Sequence, residues 1–372
     1  MALFILTILA LLMYAGLIIY YARHWHRLPH FTPRTGAVPD VFITVVVAAR
    51  NEEMALPLLL KSLQQQSYPH FEVIVVDDYS TDGTQKVLEP FLSTRVTCIQ
   101  PAIPAERSSK KKAVEAGVQR ANGKLIVVTD ADCNVPPDWL FTIASFHQQT
   151  GAAFIAAPVR FTTDRSLLQI FQALDFLTLQ GITAASVSSG FHSMCNGANL
   201  AYTKAAFISV KGFEGIDAVA SGDDMLLMHK IKKRHPDSVH YLKSNDAIVS
   251  TAPMPTWKAF FMQRRRWASK TTYYDDKAIF YVLLFIYLFN CLFLLLLIAS
   301  FFDSFYLYVL MGYLVLKTSI EWPFVQQVAQ FYHHQKLMRY FPLMQPLHIL
   351  YTISVGFISQ LGKYDWKGRR TK

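Results

Sequence analysis

Short apolar runs alternate with amphipathic stretches in the first third of the chain. The apolar runs are rich in Val and Ile, as buried strands are. They predict strands at residues 42–49, 71–76, 96–99 and 125–129. The spacing of apolar positions between them predicts helices at residues 56–63, 87–92 and 110–120. This alternation predicts a parallel sheet with helices on both faces.

The middle of the chain continues with less regular elements. Helices are predicted at residues 139–149 and 225–230, and a strand at residues 152–159. Residues 165–185 form a longer, apolar-rich stretch interrupted by a few polar side chains. We expect a helix there, which lies along a cleft for an acceptor or along the membrane surface, or belongs to the core.

Two stretches, residues 1–22 and 278–302, are apolar and long enough to cross about 30 Å of hydrocarbon. The first stretch lacks the charged start of a signal peptide, so we interpret it as an uncleaved anchor. Arg and His residues follow it directly, and the positive-inside rule therefore places that end in the cytoplasm.

Two further apolar stretches follow, at residues 305–325 and 342–361. Lys317 and Glu321 are four residues apart within the first of them, so we expect them to pair on one helix face or to face a cavity. If all four stretches crossed, the basic tail would end outside. We therefore expect the last stretch to be re-entrant or interfacial, with a cytoplasmic tail.

The composition agrees with a membrane protein that handles anions. Of 372 residues, 52% are hydrophobic, mean hydropathy is +0.23, and the net charge is +10. An excess of positive charge is typical of proteins that bind nucleic acid, anionic lipid or polyphosphate. The four cysteines are scattered without zinc, redox or disulfide spacing, which indicates a reducing compartment.

Two carboxylates, Asp130 and Asp132, follow the strand predicted at residues 125–129. Ligands of open α/β sheets bind at such strand ends. Neighbouring carboxylates repel unless a cation lies between them, and Mg²⁺ or Mn²⁺ prefers oxygen ligands and bridges to phosphates. A solvated turn is the competing interpretation, since Asp is common after strands.

Other charged residues also follow predicted strands. Asp77 and Asp78 are suited to accept hydrogen bonds from a nucleobase or ribose, or to cap a turn or helix. Arg50 and Lys110 are suited to meet phosphate charge. Asp224 precedes a predicted helix, where an N-terminal cap is the competing interpretation.

The motifs occur in an order that resembles the inverting family 2 glycosyltransferases of the GT-A fold. The resemblance rests on residues 47–52, 75–84, 109–117, 130–132 and 193–202, on the acidic pair 223–224, and on Gln263, Arg266 and Trp267 of a Gln-X-X-Arg-Trp signature. Residues 109–117 are the weakest match, since Ser109 and Glu115 replace Gly and Asn. The resemblance implies an α/β, mostly parallel GT-A catalytic domain followed by transmembrane helices.

The resemblance also implies roles for individual residues. The nucleotide-sugar would be bound by Ala49, Arg50, Asn51, Glu52, Asp77, Asp78, Lys110 and Asp130. Asp130 and Asp132 would hold Mg²⁺ or Mn²⁺. Asp224 would be the catalytic base, Arg266 would neutralise the diphosphate, and Trp267, beside Gln263, would be an aromatic platform for the acceptor.

We therefore expect a nucleotide-sugar donor, with a UDP-sugar as the first choice, and a membrane lipid acceptor on the cytoplasmic face of a bacterial inner or plasma membrane. The tail at residues 364–369 resembles that of ceramide-glucosyltransferase-like enzymes. An anionic lipid surface is an expected partner and nucleic acid is not. The alternatives are a small processive polysaccharide synthase and a non-catalytic membrane scaffold.

The predicted organisation has six parts. They are an anchor (1–22), a linker (23–40), a GT-A catalytic domain (41–252), an interfacial segment (253–277), a C-terminal membrane region (278–361) and a basic tail (362–372).

Overall fold

The computed structural model describes residues 1–34, 36, 38–163, 166–216, 222–268, 276–358, 364–366 and 369–371. Residue 221, residues 269–275 of the predicted interfacial segment and residues 362–363, 367–368 and 372 of the basic tail lie outside these ranges. The helices are α1 (Ala2–Arg27), α2 (Leu56–Gln64), α3 (Thr84–Leu88), α4 (Lys110–Arg120), α5 (Trp139–Thr150), α6 (Leu167–Ser189), α7 (Lys204–Ser209), α8 (Met225–Arg234), α9 (Trp257–Ala268), α10 (Lys277–Ser300), α11 (Phe305–Phe331) and α12 (Phe341–Ile358). The strands are β1 (Ile43–Ala49), β2 (Phe71–Asp77), β3 (Val96–Ile99), β4 (Leu125–Asp130), β5 (Cys133–Asn134), β6 (Phe154–Ala156), β7 (Val159–Phe161), β8 (Leu200–Thr203), β9 (Val239–Tyr241), β10 (Val249–Thr251), β11 (Tyr364–Trp366) and β12 (Arg369–Thr371).

The chain divides into two compact units, which are described separately. The helical unit comprises Met1–Leu28, Thr163–His192 and Pro253–Gly362. The sheet unit comprises Pro29–Thr162, Ser193–Ala252 and Lys363–Lys372. The predicted domain 41–252 differs from this division because the structure groups α6 with the helical unit.

The sheet unit is built on a seven-stranded sheet with the strand order β3-β2-β1-β4-β8-β6-β9. The first four strands are parallel, as their near-continuous Val and Ile runs predict for strands covered on both faces. β8 is antiparallel to both β4 and β6, and β9 is parallel to β6. The α/β, mostly parallel prediction is confirmed, with one antiparallel strand inserted.

Two element predictions need correction, and proline explains both. The single strand predicted at 152–159 is two strands, because Pro158 lies between β6 and β7 and lacks a backbone N–H for a ladder. β7 belongs instead to a small sheet with the order β5-β10-β7. The helix predicted at 87–92 begins earlier, as α3, and continues as a 3-10 turn containing Pro90.

α4 packs closely on the central strands because it carries Gly117. A Cβ at this position would lie 2.5 Å from Cγ1 of Val46 and 3.2 Å from Cγ2 of Val76. The glycine therefore lets the helix approach β1 and β2. This packing fixes where the first residue of α4, Lys110, stands relative to the strand ends.

The helical unit contains helices with the length and composition of membrane spans. Four stretches in the described ranges meet both conditions: Ala2–Arg27, Leu167–Ser189, Lys277–Ser300 and Gln335–Ile358. Three of them correspond to predicted membrane segments. α6 is the fourth, and 83% of its apolar window is buried within the protein, as expected for a core helix.

α11 covers the stretch predicted to span at residues 305–325. It is a helix of 27 residues and is not among the four stretches that meet both conditions, so its crossing of the membrane stays a prediction. Lys317 and Glu321 lie inside it and form the predicted pair, with Nζ 2.6 Å from Oε1. Both side chains are buried.

A polar cluster around this pair joins three helices. Lys317 Nζ also donates to Oε1 of Gln345 on α12 at 2.6 Å, and Gln345 Nε2 donates to Oε2 of Glu321 at 2.6 Å. The hydroxyl of Tyr14 on α1 donates to Glu321. Every charge in the cluster is therefore paired within the helical unit.

Candidate active site

The carboxyl ends of three parallel strands meet at one edge of the seven-stranded sheet. β1 lies between β2 and β4, with Ala49 opposite Asp77 and Ala48 opposite Asp130. Because neighbouring strands lie about 4.8 Å apart, these two carboxylates stand roughly 10 Å apart, across β1. This edge is where ligands of open α/β sheets bind.

The loop after β1 is braced against the loop after β2. Arg50 Nη1 donates to the carbonyl oxygens of Asp78 at 2.6 Å and Tyr79 at 3.3 Å. Asn51 has a φ of 55° and accepts the Thr81 N–H through Oδ1 at 2.8 Å. These contacts shape one wall of the edge, and contact of Arg50 with a phosphate stays a prediction.

Glu52 extends the same brace. Its N–H donates to Oγ1 of Thr84, the first residue of α3, at 2.8 Å. The helix start after β2 is thereby tied to the loop after β1.

Asp77 is buried, and its carboxylate accepts hydrogen bonds from within the fold. Oδ1 accepts the Ser80 N–H at 3.0 Å, and Oδ2 accepts Nε2 of Gln85 at 2.6 Å and of Gln100 at 3.2 Å. Burial alone would raise its pKa, but these hydrogen bonds bring the pKa below the usual value. The competing interpretation, a turn-stabilising residue, thus describes at least part of what Asp77 does.

Asp78 is buried beside it, and its N–H donates to the Ala49 carbonyl at 2.8 Å. Ala49 therefore positions the second carboxylate of the pair. Nucleotide contacts of Asp77, Asp78 and Ala49 remain predictions.

Lys110 joins two carboxylates that are distant in sequence. Its Nζ lies 2.6 Å from Oδ1 of Asp130 and 3.1 Å from Oδ2 of Asp223. Burial alone would lower the pKa of Lys110, but Asp130, Asp223 and Asp224 raise it well above the usual value. The ammonium group therefore stays charged, and it supplies a cation beside Asp130.

Asp132 lies in the turn between β4 and β5 and is exposed. In the described part of the chain, His, Cys, Asp and Glu side chains form no group of three able to hold a metal. A site with one or two carboxylates still fits Mg²⁺ or Mn²⁺, because these ions commonly complete their coordination with water and substrate phosphates. Asp130 and Asp132 thus fit a metal that arrives with a diphosphate, while Lys110 already occupies one oxygen of Asp130.

Asp224 stands close to this group and also caps α8. Its Oδ1 accepts the Met225 N–H at 2.8 Å, and its Oδ2 accepts the Gly197 N–H at 3.1 Å. A carboxylate has about four acceptor positions, so each oxygen keeps one more. The cap and the catalytic interpretation are therefore compatible.

Gly197 places Asp224 beside Lys110. A Cβ on Gly197 would lie 3.2 Å from Lys110 Nζ and 3.6 Å from Asp224 Cβ. The backbone at Gly197 therefore lies between the ammonium group of Lys110 and Asp224, the candidate base.

Sequence patterns alone did not indicate that Thr129 and Asn199 anchor the segment around Gly197. Thr129 Oγ1 on β4 donates to the Ala198 carbonyl at 2.8 Å. Asn199 is fully buried, donates to the carbonyls of Pro158 and Ala247, and accepts the indole N–H of Trp139 at 3.0 Å. A polar Asn directly before an apolar strand is the signal that points to such an anchor.

Gln263, Arg266 and Trp267 lie together on α9, in the helical unit. Gln263 and Trp267 are four residues apart and share one face of the helix. Their participation in the site stays a prediction.

Two family models match the chain. The model described as glycosyl transferase family 2 matches residues 44–198, and the model described as glycosyl transferase family group 2 matches residues 125–355. The second match covers more than half of the chain and extends through both units.

Individual relatives agree with these matches. The probable glycosyltransferase YdaM of Bacillus subtilis is 24% identical over 264 residues, which are 68% of this chain and 60% of the relative. An undecaprenyl-phosphate 4-deoxy-4-formamido-L-arabinose transferase of Pseudomonas fluorescens is 28% identical over 103 residues, 27% of this chain and 30% of the relative. The chain thus spans less than two thirds of these curated relatives.

One solved structure resembles the whole chain in fold. The mannosyltransferase PcManGT from Pyrobaculum calidifontis, in complex with GDP-Man and Mn²⁺, has a TM-score of 0.58 at 18% identity. The match covers 96% of this chain and 98% of that chain.

Proposed function

The chain belongs to glycosyl transferase family group 2, and from that premise we propose that it moves a sugar from a nucleotide-sugar to a hydroxyl group of a membrane lipid. Transfer inverts the anomeric configuration, takes place on the cytoplasmic face, and adds one sugar or very few. The observation that carries the proposal is the cluster of Asp224, Lys110, Asp130 and Asp223 at the edge where β1, β2 and β4 end.

Asp224 acts as the general base. It takes the proton of the lipid hydroxyl while that oxygen bonds to the anomeric carbon. The bond from this carbon to the diphosphate oxygen breaks on the opposite face, and the nucleoside diphosphate leaves. The backbone N–H groups of Gly197 and Met225 donate to the Asp224 carboxylate and hold it in one orientation. Its remaining acceptor positions therefore keep a fixed direction.

The leaving diphosphate needs positive charge around it. Asp130 and Asp132 would hold Mg²⁺ or Mn²⁺, and a bound ion would neutralise charge on the diphosphate. Lys110 is a permanent cation in the same cluster and Arg266 is the second candidate from the chain. The mannosyltransferase with GDP-Man and Mn²⁺ supports a metal-assisted nucleotide-sugar reaction for this fold.

A lipid acceptor is supported by the helical unit and by one relative. Three apolar stretches, α1, α10 and Gln335–Ile358, have the length and composition of membrane spans and expose much of their surface. The name of the Pseudomonas fluorescens relative specifies undecaprenyl phosphate. The basic residues at the C-terminal end of α1 favour a cytoplasmic catalytic unit in the plasma membrane, and the net charge of +10 favours an anionic lipid surface as partner.

A lipid phosphate is the second candidate acceptor, because of that relative's name. A phosphate oxygen is already ionised near pH 7, so it needs no general base. A hydroxyl does need one. The carboxylate of Asp224, held by two backbone N–H groups with acceptor positions to spare, therefore favours the hydroxyl.

The test uses purified full-length protein with labelled UDP- and GDP-sugars and two acceptors, a diacylglycerol and a polyprenyl phosphate. We expect release of nucleoside diphosphate and an organic-extractable product of discrete size with the diacylglycerol. A product with the polyprenyl phosphate alone would select the second candidate. A long, water-soluble polymer would indicate a processive synthase. A non-catalytic scaffold would be indicated if no nucleoside diphosphate were released and nucleotides did not raise the melting temperature.

A further inference from the structure

A buried arginine lies within the Gln-X-X-Arg-Trp segment, at one of its variable positions. Arg264 is 2% exposed, and its Nη2 donates to Oδ2 of Asp175 on α6 at 2.6 Å. The Asp175 carboxylate is buried too, and its Oδ1 lies 3.6 Å from Nε2 of His348 on α12. All three residues belong to the helical unit.

The guanidinium group lies between two aromatic rings of its own helix. Its ζ carbon is 5.0 Å from the ring centroid of Phe260 and 4.2 Å from that of Trp267. Residues 260, 264 and 267 are four and three apart, so they line one face of α9. Arg264 therefore fills the space between the rings one turn before and one turn after it.

α6 contacts the same group at two consecutive residues. Asp175 binds Arg264, and the ring of Phe176 lies 6.2 Å from that of Trp267, centroid to centroid. The indole thus has a guanidinium plane and a phenyl ring as neighbours. Trp267 remains only half-buried, so part of its surface is still available.

Stability does not explain this arrangement. Nε and Nη1 of Arg264 are buried and make no hydrogen bond within the described part of the chain. Buried donors without acceptors destabilise the folded state. A buried ion pair is often no more stable than apolar side chains of the same volume. Unlike an apolar residue, Arg264 supplies a flat, rigid cation that stacks on an aromatic face. Asp175 fixes this cation in place.

We infer that Asp175 and Arg264 are positioning residues that fix the orientation of the Trp267 indole and thereby set the affinity for the lipid acceptor. The inference rests on the proposed function in one respect, the role of Trp267 as the acceptor platform. Asp175 and Arg264 act through Trp267 and touch no substrate.

The first experiment separates positioning from stability in the full-length protein. The variants are Arg264→Lys, Arg264→Met and the double variant Asp175→Leu with Arg264→Met, which removes both charges while keeping apolar volume. Lys258→Met is the matched control, because Lys258 is an exposed cation on the same helix.

We expect the KM for the acceptor lipid to rise about tenfold in all three variants, with the donor KM within about twofold of wild type, because misplacing a platform weakens only the group bound there. The double variant should unfold at or near the wild-type temperature and still have the raised acceptor KM. The control should match wild type in both constants. A wild-type acceptor KM in Arg264→Lys or in the double variant would overturn the inference.

The second experiment does not depend on transfer. The fluorescence of wild type minus that of Trp267→Phe isolates the Trp267 emission. We expect acrylamide to quench this emission about twofold more strongly in Arg264→Met than in wild type, because the indole loses a stacked neighbour. If no donor is transferred but the quenching changes, the proposed function fails while the positioning holds. Unchanged quenching would refute the positioning itself.

Discussion

Replacing Asp224 separates a helix cap from a catalytic base. The carboxylate accepts two backbone N–H groups, from Met225 and Gly197. Asn keeps one acceptor oxygen, so Asp224→Asn should lose roughly one hydrogen bond, about 1 kcal/mol. Ser is also a good cap, so Asp224→Ser should lose a similar amount. Ala keeps neither bond and should lose about 2 kcal/mol.

These losses are too small to inactivate the enzyme by unfolding. A domain with a typical stability of about 10 kcal/mol stays almost entirely folded after losing 2 kcal/mol. A general base, by contrast, contributes about 10²–10⁴-fold to the rate. We therefore expect kcat to fall at least about 100-fold in all three variants, while the donor KM stays within a few-fold of wild type. The melting temperature should fall slightly in Asp224→Asn and Asp224→Ser, and further in Asp224→Ala.

The assay is nucleoside diphosphate release at saturating lipid, with thermal unfolding measured on the same samples. Asp223→Asn is the matched control, since it changes the adjacent carboxylate, which pairs with Lys110. We expect it to raise donor KM and to leave kcat within about tenfold. A kcat near wild type in Asp224→Asn refutes the base, and a 100-fold loss confined to Asp223→Asn moves that role to Asp223.

Three further predictions follow from the sheet unit. Chelation with EDTA should abolish transfer, and Mg²⁺ or Mn²⁺ should restore it. Asp132→Ala should remove the rise in melting temperature that Mn²⁺ with UDP causes in the wild type. Full activity in the presence of chelator would contradict the metal role. The pKa of Asp77 is lower in the folded state, so its contribution to stability is complete above the unfolded pKa of about 4 and is lost as pH falls through the folded pKa. Asp77→Asn should therefore flatten the drop in melting temperature below about pH 4. An unchanged pH profile in this variant would count against the role of Asp77. Gly117→Ala should lower the stability of the protein, because a clash with Val46 costs about 1–3 kcal/mol and outweighs the gain in helix propensity of about 1 kcal/mol. A raised melting temperature would show that α4 moves away freely.

Local pattern predicted the central strands well because their burial is visible in the chain itself. β3 and α4 have the predicted bounds, and β1, β2 and β4 differ by one residue at an end. A strand covered on both faces must be apolar throughout, and that requirement is local. β8 was not foreseen, since its antiparallel place beside β4 depends on residues more than 70 positions away.

The sequence points to candidate site residues but not to their pairings. The sequence places Lys110, Asp130 and Asp224 near strand ends or helix starts. It carries no signal that Lys110 lies between Asp130 and Asp223, since the ion pair joins residues over 100 positions apart. The pairing of Arg264 with Asp175 is hidden for the same reason.

The polar cluster of Lys317, Glu321, Gln345 and Tyr14 has a consequence for biogenesis. If α11 crosses the membrane, as the sequence predicts, it carries two ionisable side chains, each costing about 2.5–3.5 kcal/mol at the centre of a bilayer. The partners that satisfy them are contributed by α1, made first, and α12, made last. α11 is therefore fully paired only when α12 has left the ribosome, so a chain cut short after α11 should be recognised and degraded as an unassembled membrane protein.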